Sequence, residues 1–331
     1  MRTGWTDLTP FGAASGLGWS GVASDTTGQY LVAVENEYQA VFGGDIWTSS
    51  NYGTTWTNAT KGSAASGHSW QAVASDSTGN YLVAADDGEQ ANGLDNGGDI
   101  WTSSNAGVSW TDQTKSTSAA TKVWWALASD STGTYLVAAE LHGDIWTSSN
   151  AGVTWTNQTT GTPASATGRA FSWNGVASDS SGKNLVAVAE SGDIWTSTNY
   201  GVAWTNETTG TPASGVSWTA VASDSTGQKL VAVSEQDIWT STNGGAMWSN
   251  QTTNTSASGH FFYSVASDST GTNLVAIVVN SGHIWVSSDS GVQWTDTGLG
   301  GHANQNWQWV TSNASGSQQV AVASNGDIWA N

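Results

Sequence analysis

Three observations predict an all-β fold, a seven-bladed β-propeller of four-stranded antiparallel blades. The phrase V-A-S-D recurs along the chain, each recurrence carries four short strand-like segments, and the one segment missing from the last copy stands at the front. The phrase begins at Val22, Val73, Leu127, Val176, Val221 and Val265 and weakens to V-T-S-N at Val310, with spacings of 51, 54, 49, 45, 44 and 45 residues. A period of this length with four strands per copy is the signature of a propeller blade.

The segments follow one another in a fixed order. Strand A is of the type SWQAVAS, residues 69–75. A turn such as DSTG comes next, in which Asp and Ser bond local N–H groups and Gly accepts a positive φ. Strand B reads YLVAV; a variable loop leads to strand C, GDIWTS; a second tight turn leads to strand D, GVSWTDQT. β-Branched and aromatic residues between closely spaced turn signals are strand chemistry, and helical periodicity is absent. The copies divide the chain into blade 1 (18–60), blade 2 (69–114), blade 3 (123–159), blade 4 (172–208), blade 5 (217–252), blade 6 (261–297) and blade 7 (307–331 plus 3–9). Blade 7 stops after strand C at Asn331, and Gly4-Trp5-Thr6-Asp7 matches the strand D pattern. The front segment is therefore expected to complete blade 7 and close the ring, leaving no free edge.

Composition narrows the partners. The 331 residues hold 7 Lys plus Arg against 26 Asp plus Glu, a formal charge of −19. Nucleic acid is excluded, because its binding draws on cations that neutralise phosphates, and anionic lipid surfaces are disfavoured on the same ground. No apolar run reaches transmembrane length, so membrane insertion is not expected. The chain has no cysteine, which rules out disulfides and thiolate chemistry. Its 89 Ser plus Thr and low Lys content resemble extracellular proteins. An extracellular or cell-surface location is expected, although the start MRTGWTDLTP lacks the apolar core of a signal peptide. Met1 would then replace a removed leader or open an excised domain.

The turn between strands C and D reads Ser-x-Asn-x-Gly-x-x-Trp, with Ser49, Asn51, Gly53 and Trp56 in blade 1 and Asp289 in the Asn position of blade 6. It resembles the Asp-box, or BNR repeat, of the sialidase-like propellers, a group that includes sialidases, xyloglucanases, sortilin-type receptors and a photosystem II assembly factor. The resemblance covers six of the seven copies and implies the propeller fold. It also implies a non-catalytic member, since sialidases clamp their substrate with three arginines and this chain has only Arg2 and Arg169. Within the turn, an amide or carboxylate oxygen accepts backbone N–H groups, Gly supplies the backbone angle and Trp buries area, which is a structural role.

A–B and C–D turns share one face of such a disc and hardly vary, while B–C and D–A loops share the other and differ from blade to blade. Loops that vary on a rigid scaffold commonly hold function. The first functional reading is a binding module with multivalent carbohydrate recognition on that second face, through the aromatic residues at the entrance to strand A: Trp19, Trp70, Trp124, Trp173, Trp218, Phe262 and Trp307. Aromatic rings offer plates for sugar C–H faces, and seven weak sites together give avidity. The same rings could instead wedge blades apart at core density; the doubled Trp124-Trp125 and Trp307/Trp309 point to exposure of some. The second reading is a structural subunit of an extracellular coat or filament, self-associating or bound to other protein subunits. The third, a glycoside hydrolase, needs two facing carboxylates.

No cofactor is expected. Asp86, Asp87, Glu89 and Asp95 crowd one loop that could wrap calcium, or serve as a solvated acidic loop. The five histidines are scattered over different blades without zinc spacing. Sequons stand at Asn58, Asn157, Asn206, Asn250, Asn254 and Asn313. They are candidates for glycosylation, although 23 Asn in so Ser/Thr-rich a chain give about as many by chance.

Overall fold

Strand B sets the blade. In the computed structural model, which describes residues 4–36, 43–88, 97–165, 172–297 and 305–331, strand B of blade 1 runs Leu31–Glu35 and is buried throughout. It lacks the alternation of a half-exposed strand because neighbouring blades cover both of its faces. Blade 2 shows the full pattern: strand A Trp70–Ser75, strand B Leu82–Asp86, strand C Ile100–Ser103 and strand D Thr111–Asp112, paired antiparallel in that order.

Strand D is shorter than its eight-residue sequence pattern, with only two residues in register, such as Thr57–Asn58 opposite Thr48 and Trp47. The preceding residues are consumed by the C–D turn. There Asn51 Oδ1 accepts the Thr55 N–H at 2.9 Å, Ser49 Oγ accepts the Gly53 N–H at 3.0 Å, and Gly53 sits at φ 79°.

Seven blades are counted by one chain of hydrogen bonds. The N–H of Thr26 donates to the Ser77 carbonyl, Ser77 to Ser131, Ser131 to Ser180, Ser180 to Ser225, Ser225 to Ser269, Ser269 to Ala314, and Ala314 back to Thr26, all at 2.9–3.1 Å. Each A–B turn thus donates to the next blade and accepts from the previous one. The seven A strands touch one another around the axis.

The ring closes as the repeat arithmetic requires. Thr6 pairs with Ala330 and Asp7 with Trp329, so the front segment is strand D of blade 7. Leu17 and Gly18 also pair with Gly326 and Ser324, joining blades 7 and 1 into one eight-stranded sheet.

The core is seven equivalent clusters, each lying between two blades. In the first, Val32, Val34 and Ile46 of blade 1 meet Trp70, Val73, Leu82 and Trp101 of blade 2. The strand A and strand C tryptophans meet edge to face: Trp70 and Trp101 at 6.2 Å and 79°, Trp124 and Trp146 at 6.1 Å and 81°. That arrangement suits the charge distribution of aromatic rings.

Candidate functional site

The entrance to strand A carries a β-bulge in every blade. Trp19 pairs with Glu35 and Gly21 with Val34, leaving Ser20 as the extra residue; the same skip occurs at Gln71, Trp125, Asn174, Thr219, Tyr263 and Gln308. A bulge breaks the alternation of faces and re-aims a side chain. Here the residue before it enters the blade-to-blade core and the bulged residue turns to the axis.

The seven entrance aromatics therefore do not stand on the loop face. Trp70, Trp124, Trp173, Trp218, Phe262 and Trp307 are 0% exposed and Trp19 is 1% exposed. No ring face is open to a sugar at these positions, which corrects their reading as ligand plates: they are the wedges between blades. The doubled pairs resolve as follows. Trp124 and Trp307 are core, while Trp125 and Trp309 are half-buried and face the axis.

All seven bulged residues line one axial mouth of about 550 Å³. The ends of strand B and the residues after them complete it, so it opens on the face of the B–C and D–A loops. Asp87, Glu190 and Glu235 contribute carboxylates, and Phe261, 40% exposed, joins the half-buried Trp125, Tyr263 and Trp309, while Trp19 and Trp218 reach the lining only from the core. No Lys or Arg is among the described lining residues. In a ring of seven, blade 3 stands opposite blades 6 and 7. Trp125 therefore faces the Phe261, Tyr263 and Trp309 wall across the axis, with the carboxylates on blades 2, 4 and 5 between them.

Part of this lining is committed to the scaffold. Ser20 Oγ donates to the Trp70 carbonyl at 2.6 Å, Asn174 Nδ2 to the Trp218 carbonyl at 2.8 Å and Thr219 Oγ1 to the Phe262 carbonyl at 2.8 Å, each staple reaching into the next blade. Asn36 Nδ2 donates to Gln71 Oε1 at 3.1 Å. Burial raises the Tyr263 phenol above its ordinary range, so it stays a neutral hydroxyl at physiological pH.

The acidic loop of blade 2 is split. Asp86 Oδ2 lies 3.0 Å from His68 Nδ1, and Asp87 lines the mouth. Glu89 and Asp95 lie outside the described residues. No cluster of three or more metal-ligating side chains occurs among the described residues. For His68, burial alone would lower the imidazole, but the hydrogen bond and charge of Asp86 outweigh it and the net shift is upward.

Four sequon asparagines use their amides inside the fold. Asn58, Asn157, Asn206 and Asn250 donate Nδ2 to Asp45, Asp144, Asp193 and Asp237 at 2.7–2.9 Å, and their Oδ1 atoms accept backbone N–H groups of the following turn. Asn313 is 5% exposed and fills the Asp position of the last A–B turn, accepting the Ser317 N–H at 3.0 Å. These five are structural polar groups, which corrects their reading as sugar acceptors. Asn254 is exposed.

No family model matches the sequence, and neither does any curated protein. Solved structures match over the whole ring. YCF48 from Cyanidioschyzon merolae superposes with a TM-score of 0.71 at 13% identity, covering 99% of this chain and 98% of that one. A YCF48 bound to D1 peptide gives 0.68 at 12%, covering 98% and 95%. The GH74 xyloglucanase from Xanthomonas campestris gives 0.55 at 14%, covering 99% of this chain and 68% of the enzyme. Identities this low establish the propeller fold alone.

Proposed function

We propose that this chain is a non-catalytic binding propeller of the Asp-box, sialidase-like kind, located outside the cell or at its surface, and that its axial mouth recognises carbohydrate. One observation carries the reading. Within strands A that otherwise rewrite one sentence, the bulged position holds six residue types in seven copies, and all seven side chains converge on one cavity. Opposed aromatic walls suit the C–H faces of a sugar ring, and the amides, hydroxyls and carboxylates between them suit its hydroxyls. The chain's two arginines, Arg2 and Arg169, are too few for the three-arginine clamp of sialidases, which supports binding over that chemistry. The expected site is thus single and axial, in place of seven separate sites on the face of the B–C and D–A loops.

A glycan array followed by calorimetry tests this. Trp125→Ala or Trp309→Ala is expected to weaken the bound oligosaccharide at least roughly ten-fold with the fold intact. An array that stays blank, or affinities untouched by both changes, would sink the reading.

A second reading has its own support. The three mouth carboxylates favour a basic segment, and a propeller of this fold is known bound to a peptide, YCF48 with D1 peptide. Binding of a Lys-rich peptide that collapses with salt and with Glu190→Gln plus Glu235→Gln would replace the carbohydrate by a protein partner.

A further inference from the structure

The opposite face, built from the A–B and C–D turns, holds three consecutive crevices at the junctions of blades 1 and 2, 2 and 3, and 3 and 4. They measure about 250, 190 and 160 Å³. One wall is a tyrosine just ahead of strand B: Tyr30, Tyr81 and Tyr135 in turn. The far edge is the valine of the next blade's C–D turn, Val108, Val153 or Val202, exposed by 79%, 56% and 64%. Strand C and D hydroxyls line the space between, and no charged side chain lines any of the three.

The tyrosine is what distinguishes these junctions. Blades 4 to 7 carry Asn184, Lys229, Asn273 and Gln318 at the same position. At the junction of blades 5 and 6, where Lys229 Nζ reaches Ser290 Oγ at 3.3 Å, only about 10 Å³ remains. The next blade's A–B turn packs a glycine against this position whichever residue stands there, Gly227 against Asn184 as well as Gly79 against Tyr30. A Cβ on Gly79 would meet Tyr30 Cβ at 2.5 Å, and one on Gly133 would meet Tyr81 Cβ at 2.5 Å, so the facing turns need glycine. The narrowest crevice is the one where Tyr200 stacks on Tyr135 at 4.7 Å, in place of Ala106 or Ala151.

We infer that these three crevices bind successive segments of one neutral polysaccharide. A tyrosine plate and a valine edge fit the apolar faces of a pyranose, and a wall of Ser and Thr fits its hydroxyls. The lining offers nothing to an ionic ligand, and the charge of −19 repels polyanions. Each volume is below that of a drug-sized site and suits a short stretch of sugar. Three in a row convert weak contacts into avidity for the polymer. This site is separate from the axial mouth in residues and in face.

The test uses the full chain carrying Trp125→Ala and Trp309→Ala, so that the axial mouth is silenced and its reading is judged apart. A soluble β-glucan, a mannan and a galactan are titrated, with a polyuronate as the anionic control. One neutral polymer is expected to bind at least about 100-fold more tightly than its own disaccharide. Tyr30→Asn, Tyr81→Asn and Tyr135→Asn should each weaken it roughly ten-fold, and the triple variant should abolish it. Asn is the substitution of choice because blades 4 and 6 already fold with it, Asn184 and Asn273 each donating to the turn aspartate at 2.7 Å. The inference is overturned if no neutral polymer binds, if the triple variant binds as well as its parent, or if the polyuronate binds best.

Discussion

At the scale of single residues, neighbouring positions in strand A have opposite fates. Trp70 is fully buried and Gln71 lines the axial mouth; Trp124 is fully buried and Trp125 lines that mouth. Trp70→Ala should cost about 3–5 kcal/mol in denaturant unfolding, the range for removing a large buried ring, whereas Trp125→Ala should stay within about 1 kcal/mol. Equal losses for the two would mean that the bulge does not separate core from mouth. This distinction was only partly legible in the sequence. Residue type is the same in both roles, and an extra residue in one strand leaves no mark on composition or on strict alternation. The signal that was available is the refusal of one position to repeat: Ser20, Gln71, Trp125, Asn174, Thr219, Tyr263 and Gln308 stand between neighbours that scarcely change. The sequon asparagines taught the reverse lesson, since their recurrence at one place in strand D reflects a shared hydrogen-bond duty.

At the scale of the element, that duty ties strand C to strand D. In blade 3, Asp144 accepts from Asn157 Nδ2 at 2.7 Å, Thr160 Oγ1 at 2.6 Å and Ser165 Oγ at 2.6 Å, while Thr159 Oγ1 accepts the Ile145 N–H at 2.9 Å. Burial alone would raise the Asp144 carboxyl, but these donors outweigh it and hold it below the usual carboxylate range. Blade 2 has Asp112 where blade 3 has Asn157, and there burial, joined by the charges of Asp112 and Asp86, pushes Asp99 upward. The signs are opposite. Ionised Asp144 contributes stability that is present above its unfolded pKa and lost as pH falls through its lower folded value. Asp99 contributes stability when protonated, lost as pH rises through its raised folded value. Asp144→Asn should therefore lower the Tm at neutral pH, with the gap to the parent closing in acid. Asp112→Asn should raise the Tm at neutral pH by a few degrees, an advantage that shrinks as the carboxyls protonate. Differences independent of pH would show that these carboxylates do not act through their charge. The sequence made the strand and turn visible here; it did not show that Asn58 and its counterparts answer to an aspartate 13 residues earlier.

At the scale of the whole molecule, the ring depends on a strand of two residues, Thr6–Asp7. The front segment contributes Thr6 and Asp7 to the ladder, the Leu8 N–H to the Ile328 carbonyl at 2.8 Å, and Trp5 to the core beside Trp329. Thr9 repeats the strand D duty seen elsewhere: its Oγ1 accepts the Ile328 N–H at 3.0 Å and donates to Asp327 at 3.2 Å. Without residues 1–9, strand C of blade 7 becomes an open edge, and open edges pair with other chains. Deletion should lower the Tm by at least about 5 °C and produce concentration-dependent association in sedimentation. Deletion also removes contacts that have nothing to do with closure, so a second variant separates the two effects. A circular permutant that begins at Phe11 and carries residues 4–10 after Asn331, joined through a turn of the Ser-x-Asn-x-Gly type, rebuilds the C–D hairpin that blades 1 to 6 already use. If closure is what the front segment supplies, the permutant should melt with the parent and remain monomeric at concentrations where the deletion variant associates. If the permutant is as unstable as the deletion, the front segment acts through its position in the chain and not as the closing strand.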